Sequence, residues 1–216
     1  TGSTHGYDLV DSTSLNPELG TYGELELLLA ELHSSGMHWV QDIVPNHMAY
    51  SSENKMLMDV LESGPNSEYA HFFDIFWQHP YSSLKNRILA PFLGRFYGDC
   101  LERGEIKLSF GPEGFCLNYY EQTYPLNIET YHFLLFQCLA EVKNNLGEDH
   151  PSFIKLLGIL YLLKYLPESG QERLAQIPFA KRMLWELYRD SQAIQKSIKN
   201  LLQNLNGQPG VPESFN

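Results

Sequence analysis

Apolar positions recur at helical spacing along much of this chain, and at strand spacing only around Trp39 and within residues 106–120. Leu25, Leu28, Leu29 and Leu32 share one helical face. Thr21 and Glu24 have the spacing of a capping box that starts this helix, and Gly36 can close it after about Ser35. Met37-His38-Trp39-Val40 follows, short, apolar and partly β-branched, as a parallel strand in an α/β protein does. Pro45 cannot donate to a sheet ladder, so the predicted strand from His38 ends near Val44.

Upstream, Gly6-Tyr7-Asp8-Leu9-Val10-Asp11 reads as loop and Asn16-Pro17-Glu18-Leu19-Gly20 as turn. Downstream, Ser51 to Gly64 is a short helix or turn, and Tyr69 to Trp77 is densely aromatic. Ile106 to Phe110 and Phe115 to Tyr120 flank Gly111-Pro112-Glu113-Gly114, which predicts a β-hairpin. Helices follow over Glu129–Leu146 and from Pro151, a favoured first helical position, to before Pro167. A third is expected from near Pro178 to Leu205. Met183, Leu187, Ile194, Ile198, Leu201 and Leu205 form its apolar stripe, and Lys181, Arg182, Arg189, Lys196 and Lys199 its solvated face. Residues 207–216 read as a Pro/Gly-rich linker.

Composition narrows the class. With 43% hydrophobic and 13% aromatic residues in 216, the chain is globular. A net charge of −11 argues against binding nucleic acid or an anionic membrane. The charge is uneven: residues 1–150 hold 21 acidic and 7 basic side chains, and 151–205 hold 4 and 8, which points to two structural units. Cys100, Cys116 and Cys138 lack metal-ligand spacing, as free thiols of a cytoplasmic protein would. The apolar run Phe153 to Leu166 falls short of the ~20 residues needed to span a bilayer and contains Lys155 and Lys164. A core helix is expected there. The chain starts without an initiator methionine or a first strand, the expectation being a piece of a larger protein.

Asp42, Asn46 and His47 lie at or just past the predicted strand's C-terminal edge, where α/β barrels and open sheets place their sites. Two readings are open: a capped strand end, or a site. Neither a serine nor a cysteine stands in a nucleophile context, and no His-Glu-x-x-His or glycine-rich phosphate loop occurs. No cofactor or metal is expected. With 26 carboxylates, acid/base chemistry is possible, but nothing singles out a pair. Asp8, Asp42 and His47 could instead hydrogen-bond a polyol, with Tyr7 stacking on a sugar face.

Asp42-Ile43-Val44-Pro45-Asn46-His47 resembles the Asp-x-x-x-Asn-His motif that ends the third barrel strand in the α-amylase superfamily (glycoside hydrolase family 13). His5 to Asp11 and Asn16 to Gly20 resemble that superfamily's upstream loop. The stretches Gly2 to Asp8, Asp42 to Met48, Asp59 to Pro65, Tyr69 to Ile75, Tyr119 to Glu121, Tyr124 to Leu126 and Asn206 to Gly210 are similar to the maltooligosyl trehalose synthase family. The resemblance implies an intramolecular transglycosylase of trehalose biosynthesis. Such an enzyme converts the reducing-end α-1,4 bond of a maltooligosaccharide into an α,α-1,1 bond. An α-1,4-glucan hydrolase and a non-catalytic carbohydrate-binding or scaffold module are the alternatives.

It also implies the fold class: α/β but predominantly helical, a partial (β/α)8 barrel followed by an inserted α-rich subdomain with a β-hairpin. Residues 1–50 would be barrel, 51–128 and 129–206 inserted subdomains, and 207–216 the return linker. The superfamily's Gly-x-Arg-x-Asp and Asn-His-Asp settings are absent, so no catalytic carboxylate is expected in these residues and the chain alone should be inactive. Position by position, the resemblance makes Tyr7, Asp8 and His47 substrate-binding residues and Asp42 and Asn46 supports of the loop. A maltooligosaccharide is the expected partner. The strand at 38–44, lacking neighbours, is expected to be exposed or to pair between molecules.

Overall fold

A computed structural model describes residues 5–215, and the chain divides into two compact units, Thr1–Lys55 and Met56–Asn216. The charge step at residue 150 lies inside the second unit.

In the first unit, helix α1 spans Tyr22–Ser34. Thr21 Oγ1 accepts the Glu24 N–H (3.3 Å) while the Glu24 carboxylate accepts the Thr21 N–H (2.7 Å), the reciprocal bonds of a capping box. At its end Gly36 takes φ +71°, the Gly36 N–H donates to His33 and the Met37 N–H to Leu32, a Schellman closure. The helix buries none of its residues. Leu28, on the expected apolar face, is 45% exposed, and Leu27 is 72% exposed.

The predicted strand over His38–Val44 does not form. Residues 37–44 join no β-ladder, and Trp39, Val40 and Ile43 are exposed. A strand is defined by its partner, and no other segment of the described residues pairs with this one. The apolar pattern is there without a ladder to join.

The second unit is built differently. It contains α2 (Lys55–Ser63, bar its first residue), α3 (Tyr97–Glu102), β1 (Ile106–Gly111), β2 (Gly114–Tyr119), β3 (Gln122–Pro125), α4 (Glu129–Leu146), α5 (Pro151–Lys164), α6 (Gln171–Asp190) and α7 (Gln192–Asn206). The strands form an antiparallel meander in the order β1-β2-β3. β1 and β2 are the predicted hairpin, closed by Pro112-Glu113, with Gly111 paired to Gly114. β3 was not anticipated: its residues are few, and Pro125 argues against a strand unless it lies at an edge.

Helices α4 and α5 match their predicted spans. The third predicted helix does not: α6 begins at Gln171 and carries Pro178 inside it, and Ser191, in extended conformation, separates α6 from α7. Leu174 and Pro178 are both exposed, so water can hydrate the Leu174 carbonyl that the proline leaves without a donor. Buried Arg173, Ile177, Ala180 and Leu184 hold the helix on either side. The stripe hid the break because Leu187 and Ile194, seven positions apart, keep one phase across Ser191.

One core joins α4–α7 to the hairpin. Leu135, Leu156, Ile159, Leu184, Ile194 and Ile198 are all essentially inaccessible, as is Phe115 of β2. Phe115 meets Tyr131 edge to face at 5.1 Å, and Phe110 meets Tyr188 at 5.1 Å. The Tyr131 hydroxyl accepts the Phe115 N–H at 2.8 Å. Asn206, ending α7, donates to the Leu108 carbonyl (2.9 Å) and accepts its N–H (2.7 Å), a side-chain substitute for a neighbouring strand along β1. Arg173 is buried yet bonded to Glu129 (2.8 Å) and the Pro167 carbonyl (2.9 Å), as a buried cation requires. Among the described residues, no helix is long and apolar enough to cross a membrane.

Candidate functional site

The polar residues singled out around 5–8 and 42–47 converge within the first unit. Three bonds align the two stretches. The Ala49 N–H donates to the Leu9 carbonyl (2.8 Å), fixing the backbones in register. The Tyr7 hydroxyl donates to Asp42 Oδ2 at 2.6 Å. His47 Nε2 lies 3.1 Å from Asp8 Oδ1. Each bond spans more than thirty positions of sequence, so none arises from local turn chemistry.

His5 is the addition that sequence reasoning missed. Its Nε2 lies 3.4 Å from the other Asp8 oxygen, and its Nδ1 accepts the Tyr7 N–H at 3.2 Å. Its ring stacks on Tyr7 with centroids 5.7 Å apart. The available signal was the His-x-x-Asp spacing of His5 and Asp8, inside a stretch already quoted for its resemblance.

Proton positions follow from the partners. An ionised carboxylate only accepts, so both imidazoles present Nε2–H to Asp8. For His5 this agrees with Nδ1 accepting from Tyr7. For His47, Nδ1 accepts when the ring is neutral and donates when it is protonated. The hydrogen bond to Asp42 raises the Tyr7 pKa above the ordinary phenol value, so the hydroxyl stays protonated and donating. Asp42 is thus occupied on Oδ2, and its own carbonyl accepts from Gln41 Nε2 (2.7 Å). Asn46 lies exposed in the turn after Pro45, and among the described residues nothing hydrogen-bonds to it.

Asp11, a few residues away, plays a different part. It accepts from the Thr13 hydroxyl (2.6 Å), the Thr13 N–H (2.8 Å) and Ser14 Oγ (2.8 Å). Those bonds, the Thr13 hydroxyl first, lower its pKa to about 2. It is a turn organiser.

The cluster offers a half-exposed aromatic ring, a carboxylate with two oxygens held by imidazoles, and the second ring nitrogen of His47. Such an assembly can receive and donate hydrogen bonds to vicinal hydroxyls beside an aromatic face. It holds no activated nucleophile: the cysteines are buried in the other unit, with pKa values raised by desolvation. Among the described residues no group of His, Cys, Asp or Glu is placed to hold a metal ion.

Known proteins bear on this geometry. Residues 1–105 match the alpha-amylase family, catalytic domain. A Mycobacterium tuberculosis protein named for maltooligosyl trehalose synthase is 40% identical over 121 residues, 51% of this chain and 15% of that protein. Alpha-amylase 1 of Lipomyces kononenkoae is 38% identical over 82 residues, 38% of this chain and 13% of that one. The crystal structure of a maltooligosyl trehalose synthase matches with a TM-score of 0.50 and 37% identity, over 57% of this chain and 16% of that one. The resemblance read from the motifs therefore holds: this chain is similar to maltooligosyl trehalose synthase, and its residues 1–105 are similar to the alpha-amylase catalytic domain. It spans only a small part of the relatives it matches.

Proposed function

We propose that these residues form the sugar-holding part of an intramolecular transglycosylase of trehalose biosynthesis, acting on the reducing-end α-1,4 bond of maltooligosaccharides to give an α,α-1,1 bond. The observation that carries this reading is the pair of long-range bonds, Tyr7 to Asp42 and Asp8 to His47, made by the residues that carry the family resemblance. In it, Tyr7 stacks on a glucose ring, His47 and Asp8 hydrogen-bond that ring's hydroxyls, and Asp42 supports the loop by holding the Tyr7 hydroxyl. None of them is a nucleophile or proton donor, and the carboxylates of the reaction lie outside these residues, so the chain alone is inactive. Residues up to about 50 belong to a (β/α)8 barrel, with the hairpin and helices inserted after its third strand, in a cytoplasmic enzyme.

The similarity to Alpha-amylase 1 favours a second reading, an α-1,4-glucan hydrolase with the same sugar-holding residues. Time courses with maltohexaose separate them, using the natural-length polypeptide that carries these residues. The proposal expects reducing ends to disappear, and expects His47→Ala to slow that loss. A gain of reducing ends favours the hydrolase. If nothing happens to maltohexaose, the transglycosylase reading fails.

A further inference from the structure

Within the second unit, a cavity of about 370 Å³ opens against α2, the β1–β2 turn and α6. Its walls carry Asp59 and Glu62 from α2, Glu113 from the turn, and Lys181, Arg182 and Trp185 from α6. It shares no residue with the Tyr7–His47 cluster. Its volume falls in the range of small-molecule sites.

Glu62, Lys181, Asp59 and Trp185 are held in place before any ligand arrives. Glu62 and Lys181 pair at 2.6 Å with side chains 17% and 16% exposed. Taking such a pair out of water is costly, so its remaining hydrogen-bonding capacity, one carboxylate oxygen and the other ammonium hydrogens, favours a polar occupant. Asp59 accepts from the hydroxyl of Ser67, itself buried. Trp185 stacks on Tyr188 with centroids 5.5 Å apart and planes 14° apart, and also meets Phe110 at 6.0 Å, which holds the indole in place.

Those features select a chemistry. Three carboxylates facing two cations leave a slight negative balance, which disfavours a phosphate or any other anion. They also supply charged acceptors and charged donors side by side, the complement of adjacent hydroxyls, each of which donates one bond and accepts others. The indole, with Pro178 and Ile177 on the same wall, supplies an apolar face. We propose that this cavity is a second binding site, taking a neutral short saccharide. The polyol chemistry comes from the lining; the choice of an α-1,4-linked glucan as its ligand rests on the function proposed above.

Titrating the 216-residue chain with maltotriose, and separately with inorganic phosphate, tests this by following amide and indole N–H resonances. Saturable shifts are expected at the Trp185 indole, Arg182 and Glu113, with no response to phosphate. Arg182→Ala and Glu113→Ala replace exposed side chains, which spares the core. Each should weaken maltotriose binding about tenfold, the effect of losing one hydrogen bond to a charged group. His47→Ala should leave the Trp185 response intact. Maltotriose shifts confined to residues 5–50 and abolished by His47→Ala would overturn the second site while leaving the first standing. Shifts at Trp185 alone would support the second site and count against the first. A Trp185 signal that moves only with phosphate, or not at all, overturns the inference.

Discussion

Residues 5–55 and 56–215 reach order by different routes. In the first stretch Asn54 is the one buried side chain, held by donation to the Ala49 carbonyl at 3.3 Å. In the second lie all the buried hydrophobic side chains among the described residues, from Leu57 to Leu201. The first is organised by caps, turns and side-chain hydrogen bonds, each contributing little net stability in water. The second has a core, whose burial is the dominant favourable term in folding. Yet Tyr7, Asp8 and His47, the residues proposed to hold the sugar, sit in the stretch without one. Its exposed Leu27, Leu28, Trp39, Val40 and Ile43 are the apolar surface that the proposed barrel would cover.

Leucine truncation should show the contrast most strongly. Leu187 is 2% exposed, so Leu187→Ala should cost about 2–5 kcal/mol in urea unfolding. Leu28→Ala, on α1, should stay within about 0.5 kcal/mol. Similar losses at both positions would mean that α1 belongs to a core after all.

Glycine replacement should go further and differ in sign. Gly114 has φ +94°, and a Cβ there would run into the hydroxyl of Tyr131. Gly114→Ala should destabilise by about 1–3 kcal/mol, visible as a lower Tm. Gly23, within α1, has open space around its Cα, and Gly23→Ala should stabilise that helix by about 0.5–1 kcal/mol. Amide exchange along α1 measures the second effect, and a loss of protection there would contradict it.

The smallest effect is a pH dependence local to the first stretch. Asp11 has a folded-state pKa lowered to about 2 from an ordinary 3.8. Its contribution is therefore complete above the unfolded value and is lost as pH falls through about 2. The Thr13 amide resonance should hold its position down to about pH 4 and then move with a midpoint near pH 2. Movement centred near the ordinary 3.8 would mean that the turn bonds are absent in solution.

What could be read from sequence follows the same division. Thr21, Glu24 and Gly36 fix the ends of α1 by local bonds, and both boundaries were legible. Glu129–Leu146 was equally plain, since Leu135, Cys138 and Val142 repeat at helical spacing before Gly147. Ser191 was not, because a single extended residue leaves the apolar phase undisturbed. Pro178 misled in the other direction: a proline marks a helix start only if nothing stabilises the turns before it, and buried Arg173 and Ile177 do so here. His38–Val44 looked like a strand because pattern reports a face and says nothing of a partner. At the candidate site, Tyr7, Asp8, Asp42 and His47 stood out by type and resemblance. That Tyr7 reaches Asp42 and Asp8 reaches His47, alongside the Leu9–Ala49 backbone bond, is a long-range pairing that no local pattern encodes. Asn46 shared the motif and stands apart from the bonds.

The central claim is that the proposed Tyr7–His47 sugar site lies on a stretch that lacks a core of its own. Native-state hydrogen exchange on the 216-residue chain tests it most directly. Amides of α4 and α7 should exchange only through global unfolding, and those of α1 and residues 37–44 through far cheaper local opening. Equal protection in α1 and α4 would contradict the account, and would show that residues 5–55 share in the stability of a core.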